Sequence, residues 1–260
     1  MKNLILLVDL GNTNLKLAFW NDSANQIEKI VLINKSKYQT EIQILKILKS
    51  KCFENKTKIN DSLLISVVPS VEKIIRLALE KFFQITIRRF NSKMLPEFTT
   101  KNEKVGDDLI VLFVAANSLK PKGSIIVSFG TATVLLISYK YKFEGIYIAP
   151  GWESSWKNLI QNTDLIKISP ISSNSQFHGL PQNTGNAIRE AIIFQQTGFI
   201  EKATTKINEE LNYNFPILLT GGNLTYIEKY LKLPRMEKYD DLIWKGLKII
   251  YHSLSKTKKS

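Results

Sequence analysis

The chain repeats itself. Leu7-Val8-Asp9-Leu10-Gly11-Asn12-Thr13 returns later as Ile126-Val127-Ser128-Phe129-Gly130-Thr131-Ala132. In each copy an apolar run enters a glycine turn, and a second strand follows. After the first turn Leu15, Leu17 and Phe19 alternate with Lys16 and Ala18; after the second, residues 134–138 are a strand. Third strands are predicted at 30–33 and 143–148. The first half continues with a helix at 40–50, a strand at 63–68 closed by Pro69, a helix at 71–82 and a strand at 85–90. A helix then opens at Gly106-Asp107-Asp108. The second half continues with helices at 152–162 and 183–200 and a strand at 217–219 running into Thr220-Gly221-Gly222-Asn223. Helices near 224–231 and 240–254 close the chain. Two similar halves predict a duplicated α/β domain, with lobes at 1–119 and 120–260. Nothing between them is rich enough in Gly, Pro or Ser to be a free linker, so 119–123 is read as a hinge between packed lobes.

Bulk properties narrow the function. With 44% hydrophobic and 23% charged residues over 260 positions, the chain folds as a globule rather than staying disordered. No apolar run approaches the roughly 20 residues of a membrane span. Asp9 interrupts the N-terminal apolar run too early for a signal peptide, so a cytoplasmic protein is expected. The single Cys52 excludes an internal disulfide and a cysteine zinc cluster, and His178 and His252 are too far apart for a metal motif. The net charge of +13 favours anionic partners. Arginine occurs only at 76, 88, 89, 189 and 235, so the charge is nearly all lysine. Sequence-specific DNA readers depend on arginine, which argues against nucleic acid, and the abundance of lysine, isoleucine and asparagine makes a composition-biased proteome the stronger reading of the charge.

A strand-glycine-strand hairpin suits phosphate. Glycine lets the backbone turn sharply and leaves successive N–H groups facing an anion. Asn12, Thr13 and Thr131 add side-chain donors. Gly11 and Gly130, facing each other, would hold a triphosphate from both sides, and Asp9 could hold magnesium directly or through water. One such hairpin alone is an ordinary turn; the matched pair favours the ligand. Gly221 and Gly222 would let a flat ring lie against the backbone, or Asn223 could simply cap a helix. Asp107 and Asp108 begin a helix, where one serves as a cap and the other could accept a proton from a substrate hydroxyl. Thr184 could be a cap or face a cleft. Trp152 and Trp156 are read as core or interface.

The ordered set Asp9-x-Gly11-Asn12-Thr13, Ser66-x-Val68-Pro69, Gly106-x-Asp108, Phe129-Gly130-Thr131-Ala132-Thr133, Ala149-Pro150-Gly151, Asn183-Thr184 and Thr220-Gly221-Gly222 resembles the type III pantothenate kinases along nearly the whole chain. The resemblance implies two ribonuclease H-like (actin-like ATPase) domains with a nucleotide cleft between them. It implies phosphorylation of pantothenate by ATP, the first step of coenzyme A synthesis, in a homodimer that uses magnesium and a monovalent cation, potassium or ammonium. By position, the hairpin from Asp9 to Lys16 and Thr131 would hold ATP phosphates. Asp108 would be the base, and Gly106, Asp107, Leu109 and Thr184 would lie on the pantothenate side.

The resemblance also exposes departures. Leu109 stands where the family has an arginine that would clamp the pantothenate carboxylate, a bidentate contact leucine cannot make. Ser128 stands where the family has an aspartate on the monovalent cation. The family's tyrosine upstream of the glycine is missing, with Phe98-Thr99-Thr100 in that region. Lys101 and Lys104 are candidates to restore the lost charge. Three readings follow: a working pantothenate kinase, an impaired member serving as a nucleotide-binding accessory or regulatory protein, and a kinase for another small alcohol. A nuclease of the related fold needs several clustered acids for two metals, and the hairpins offer only Asp9.

Overall fold

The computed structural model describes residues 4–52, 58–91, 94, 105–164 and 180–257. Its chain divides into two units, one of Met1–Ala115 with Ile243–Ser260 and one of Ala116–Leu242.

The first unit is built on a sheet of order β3-β2-β1-β4, with β1 (Leu4–Leu10), β2 (Asn14–Asn21), β3 (Gln26–Asn34) and β4 (Ile59–Ser66). The hairpin strands are antiparallel and β4 lies parallel to β1. Leu4, Leu6, Val8 and Leu10 face one core with Ile44 and Leu48 of α1 (Glu41–Lys51) and Ile75, Ala78 and Leu79 of α2 (Pro69–Phe83). Ile5 and Leu7 face a second core with Ile110, Val111 and Val114 of α3 (Asp107–Leu119) and Trp244, Leu247 and Ile250 of α7 (Leu242–Thr257). Burial on both faces is why β1 is apolar throughout instead of alternating. Asp9, one strand period beyond Leu7, is the exception on the second face.

The second unit repeats this order and adds a strand: β7 (Lys142–Pro150), β6 (Ala132–Tyr139), β5 (Gly123–Phe129), β8 (Ile217–Thr220) and β9 (Met236–Lys238). Ile125, Val127 and Phe129 face a core with Trp152 and Trp156 of α4 (Trp152–Gln161) and Ile188, Ile192 and Ile200 of α5 (Thr184–Leu211). α6 (Leu224–Ile227) follows β8. The two tryptophans are core residues, with Trp152 stacked on Tyr226 at 5.8 Å. Each unit therefore carries its own copy of the α/β meander, as the sequence repeat predicts.

Four details differ from the sequence reading. Residues 85–90 are not a strand; a single parallel bridge joins Leu64 to Arg89. Side chains supply the bonds a ladder would have made: Ser62 Oγ donates to the Thr86 carbonyl and accepts from Arg88 N, and Glu80 accepts from Ile87 N. α5 runs on to Leu211, past Gly198 and a polar stretch, and stops at Asn212 in the left-handed region. β9 was not anticipated, since three residues are too few to show alternation. Finally, α7 belongs to the first unit rather than to a 120–260 half. Its Gly246 lies so close to α3 that a Cβ would sit 2.1 Å from the Val111 carbonyl oxygen. Tyr251 of α7 also donates to Asp61, which holds Arg88 through two hydrogen bonds of 2.9 and 2.7 Å.

Candidate active site

In the first unit the ends of β1, β2 and α3 carry the candidate residues. Asp9 is 7% exposed and pairs in register with Lys16, whose Nζ lies 2.9 Å from its Oδ2. The following turn is closed by Gly11 N donating to the Asn14 carbonyl at 3.0 Å, and Lys35 N donates to the Thr13 carbonyl at 2.8 Å. Val67 N donates to the Leu10 carbonyl at 3.1 Å, which brings the entry to α2 beside the same turn. α3 starts where the Gly106 carbonyl accepts from Leu109 N and Ile110 N.

Asp108 lies in that first helical turn. Its Oδ1 accepts from Leu109 N at 2.9 Å, and a Cβ on Gly106 would be 2.6 Å from the same oxygen. Gly106 therefore makes room for this carboxylate. Burial pushes the Asp108 pKa up to about 6, and the negative charge of Asp9 pushes it the same way. A carboxylate of raised basicity, ionised near neutrality, is suited to accepting a proton. Asp107 is engaged elsewhere, with its Oδ2 3.3 Å from the Arg89 guanidinium. Leu109 is half-buried in the same turn.

The second turn has a similar frame. Gly130 N donates to the Ala132 carbonyl at 3.0 Å. The Thr131 carbonyl accepts from Gly151 N at 3.0 Å and from Ser154 Oγ at 2.6 Å. Asn223 donates from its side chain to the Gly130 carbonyl at 3.1 Å and from its backbone to the Phe129 carbonyl at 3.0 Å. Asn223 is thus a strut under the turn, and no side-chain cap bond accompanies its N-cap position. Ser128 is half-buried and faces Val134. Asn183, not Thr184, caps α5, accepting from Asn186 N at 2.9 Å; Thr184 is the exposed first residue of the helix.

The glycines sort by what a side chain would meet. Gly221 has φ +104°, and its Cβ would lie 2.4 Å from the Phe129 carbonyl oxygen, so the fold itself demands glycine. Gly11 and Gly130 differ. Neither has a positive φ, and a Cβ would meet its nearest neighbour at 3.5 and 3.6 Å, ordinary contact. Gly222 has nothing within 4 Å of such a Cβ. The expected reason for Gly11 and Gly130, backbone freedom, is therefore not the operative one. Their own amides are also spent on closing the turns. A side chain at 11, 130 or 222 would meet no close neighbour within the chain.

Of the anticipated residues, Asp9, Gly11, Asn12, Thr13, Lys16, Gly106, Asp107, Asp108 and Leu109 belong to the first unit, and Ser128, Gly130, Thr131, Thr184, Gly221 and Gly222 to the second. Lys101, Lys104 and Phe98-Thr99-Thr100 lie outside the described residues. The sequence reading missed Arg89 and Ser154, and it did not foresee that the Asn223 side chain, at the N-cap position of α6, would reach the Gly130 carbonyl instead of capping. Only Asn223 carried a signal, its place just after two glycines.

Comparison with known proteins agrees with this architecture. A structure provisionally described as a conserved Baf family transcriptional activator from Campylobacter jejuni matches with TM-score 0.61 at 18% identity, covering 96% of this chain and 99% of that one. A structure provisionally described as a 2-dehydro-3-deoxygalactonokinase from Sinorhizobium meliloti matches with TM-score 0.57 at 12% identity, covering 96% of each. These matches show that the fold is shared with both structures. In sequence, the type III pantothenate kinase of Dictyoglomus turgidum is 30% identical over 257 residues, covering 95% of this chain and 98% of its own. That of Mycoplasma mobile is also 30% identical over 257 residues, with the same coverage, and that of Pelagibacter ubique is 26% identical over 247. The family model for type III pantothenate kinases matches residues 5–206, and the chain belongs to that family.

Proposed function

We propose that this protein transfers the γ-phosphoryl group of ATP to the hydroxyl of pantothenate, giving 4′-phosphopantothenate and ADP, the first step of coenzyme A synthesis. The observation that carries the reading is the pair of acids in the first unit. Asp9 is matched by Lys16, whereas Asp108 is half-buried, raised in pKa and cradled by Gly106. Asp108 accepts the hydroxyl proton as the substrate oxygen bonds to the γ-phosphorus. The bond from that phosphorus to the bridging oxygen breaks, and ADP leaves with the electron pair.

Magnesium needs only one or two carboxylates besides the nucleotide phosphates, and Asp9 fits as one such ligand, directly or through water. Bound there, it would neutralise phosphate charge. Lys16 is close enough to contribute to the same neutralisation. Asn12, Thr13 and Thr131 supply phosphate donors, and Gly11, Gly130, Gly221 and Gly222 leave room for the nucleotide. Gly106, Leu109 and Thr184 belong to the pantothenate side by family position. Leu109 brings no charge to the pantothenate carboxylate, and Ser128 offers a monovalent cation a neutral oxygen only. Losing a charge-assisted contact of about 1.5–3 kcal/mol weakens binding roughly ten- to a hundredfold, so a high KM for pantothenate is expected. The reading includes a cytoplasmic homodimer activated by potassium or ammonium. The accessory reading rests on Leu109 and Ser128 alone.

The test is direct. Folded protein is incubated with ATP, magnesium and pantothenate, in potassium and separately in ammonium, and followed by ADP release and mass spectrometry of phosphopantothenate. Light scattering on the same sample checks the dimer. No turnover with either cation overturns the kinase reading. ADP release with other alcohols but not with pantothenate would move the substrate elsewhere.

A further inference from the structure

We infer that Arg89 is a positioning residue for Asp108, acting through the first turn of α3. The role of Asp108 rests on the kinase reading above; the role of Arg89 rests on geometry. Leu64 N donates to the Arg88 carbonyl and Phe90 N to the Leu64 carbonyl, each at 2.8 Å, so residue 89 is seated beside β4 by its backbone.

From this seat the guanidinium reaches three elements. Nε is 2.8 Å from Glu72 Oε1 in the first turn of α2. One terminal nitrogen is 3.3 Å from Asp107 Oδ2, in the first residue of α3. The other donates to the Phe90 carbonyl at 2.9 Å. Both carboxylates are largely buried, with side-chain exposures of 17% for Glu72 and 12% for Asp107, so solvent and salt screen the links only in part. A planar cation with donors in fixed directions satisfies three acceptors at once, whereas an ammonium group does so as a point charge.

Asp107 and Asp108 share one helical turn. A tether on the first sets where the second carboxylate lies against Gly106. The α2 end of the tether is anchored in turn, because Val67 N holds the Leu10 carbonyl beside the Gly11 turn. Arg89 thereby ties the turn that carries Asp108 to the end of β1 that carries Asp9. A misplacement of about 1 Å of a reacting group can slow turnover about a hundredfold.

The experiment compares Arg89→Gln, Arg89→Lys and Glu72→Gln with the unaltered protein, reading kcat and KM separately and following hydrogen exchange of peptides from 105–112. Arg89→Gln should lower kcat about 10- to 100-fold while KM for ATP stays within about twofold. Arg89→Lys should recover part of the loss, and Glu72→Gln should fall between. Exchange at 109–111 should quicken while β5 keeps its rates. An unchanged kcat, or unchanged exchange in a folded Arg89→Gln protein, overturns the inference. Should glutamine prevent folding, the lysine variant is read by the same criteria. Should the unaltered protein make no phosphopantothenate, the kinase reading fails on its own, and the exchange data still decide whether Arg89 positions the turn that bears Asp108.

Discussion

Asp9 faces Lys16 across β1 and β2, while Ser128, its counterpart in the repeat, faces Val134 across β5 and β6. The two hairpins otherwise share their frame: a central apolar strand, a glycine whose amide closes the turn, and a return strand. The second turn is tighter, with Gly130 N bonded to Ala132 where Gly11 N is bonded to Asn14. That change of spacing sets Val134 rather than Leu135 opposite position 128, and either residue is apolar. The first turn has charge and an acid of raised basicity beside it; the second has neutral groups and carbonyls braced by Asn223, Gly151 and Ser154. The two copies share the scaffold, and the charged pair Asp9–Lys16 stands at the first turn where the second has Ser128 and Val134.

The strongest way to break this comparison is Asp108→Asn. Turnover should fall about 10²- to 10⁴-fold in an ADP-release assay. Stability should move the other way. The folded pKa of about 6 exceeds the model-compound value of 3.8, so the folded state holds the proton more tightly. The group's stabilising contribution is then complete below 3.8 and lost as pH rises through 6, leaving a charged, half-buried carboxylate at neutrality. Asparagine removes that burden, and urea denaturation at pH 7.5 should show a gain of about 1–2 kcal/mol. Lower stability would contradict the assigned burial and charge.

The glycines give the next largest contrast. Gly221→Ala should destabilise the protein by about 2–4 kcal/mol, because both its φ and its contact with Phe129 forbid a side chain. Gly11→Ala should change stability by less than about 1 kcal/mol and still weaken ATP binding measured by calorimetry. Equal effects on stability would undo the distinction between the two kinds of glycine. Ser128→Asp would sharpen the comparison of turns. A carboxylate opposite Val134 should lower stability by about 1–2 kcal/mol at low salt and make ADP release more dependent on potassium than in the unaltered protein. The smallest readout is a titration shift in Asp9→Asn. Removing its negative charge should let Asp108 titrate below about 6 in a carboxyl NMR titration of unliganded protein. An unmoved titration would mean that Asp9 is too distant to act on Asp108.

Much of the scaffold was legible. The repeated run into a glycine turn predicted both hairpins, and the unbroken apolar character of β1 reflects cover on both faces. Residues 85–90 misled for a physical reason: Ile85, Ile87 and Phe90 look like a strand, but Ser62 and Glu80 take its backbone bonds. Arg89 gave no local cue, since its partners Glu72 and Asp107 are distant in sequence. Gly11 and Gly221 look alike in sequence, yet one has space beside it and the other has the Phe129 backbone.

Sequence alone determined the duplication, the hairpins and the family, because periodicity, turn residues and ordered motifs are properties of the chain itself. Tertiary structure decided that α7 joins the first unit, that the Asn223 side chain braces a turn while its residue starts α6, and that the Asp108 pKa is raised. Those outcomes depend on burial and on charges contributed by distant residues, and neither is set by the neighbours of a residue in sequence.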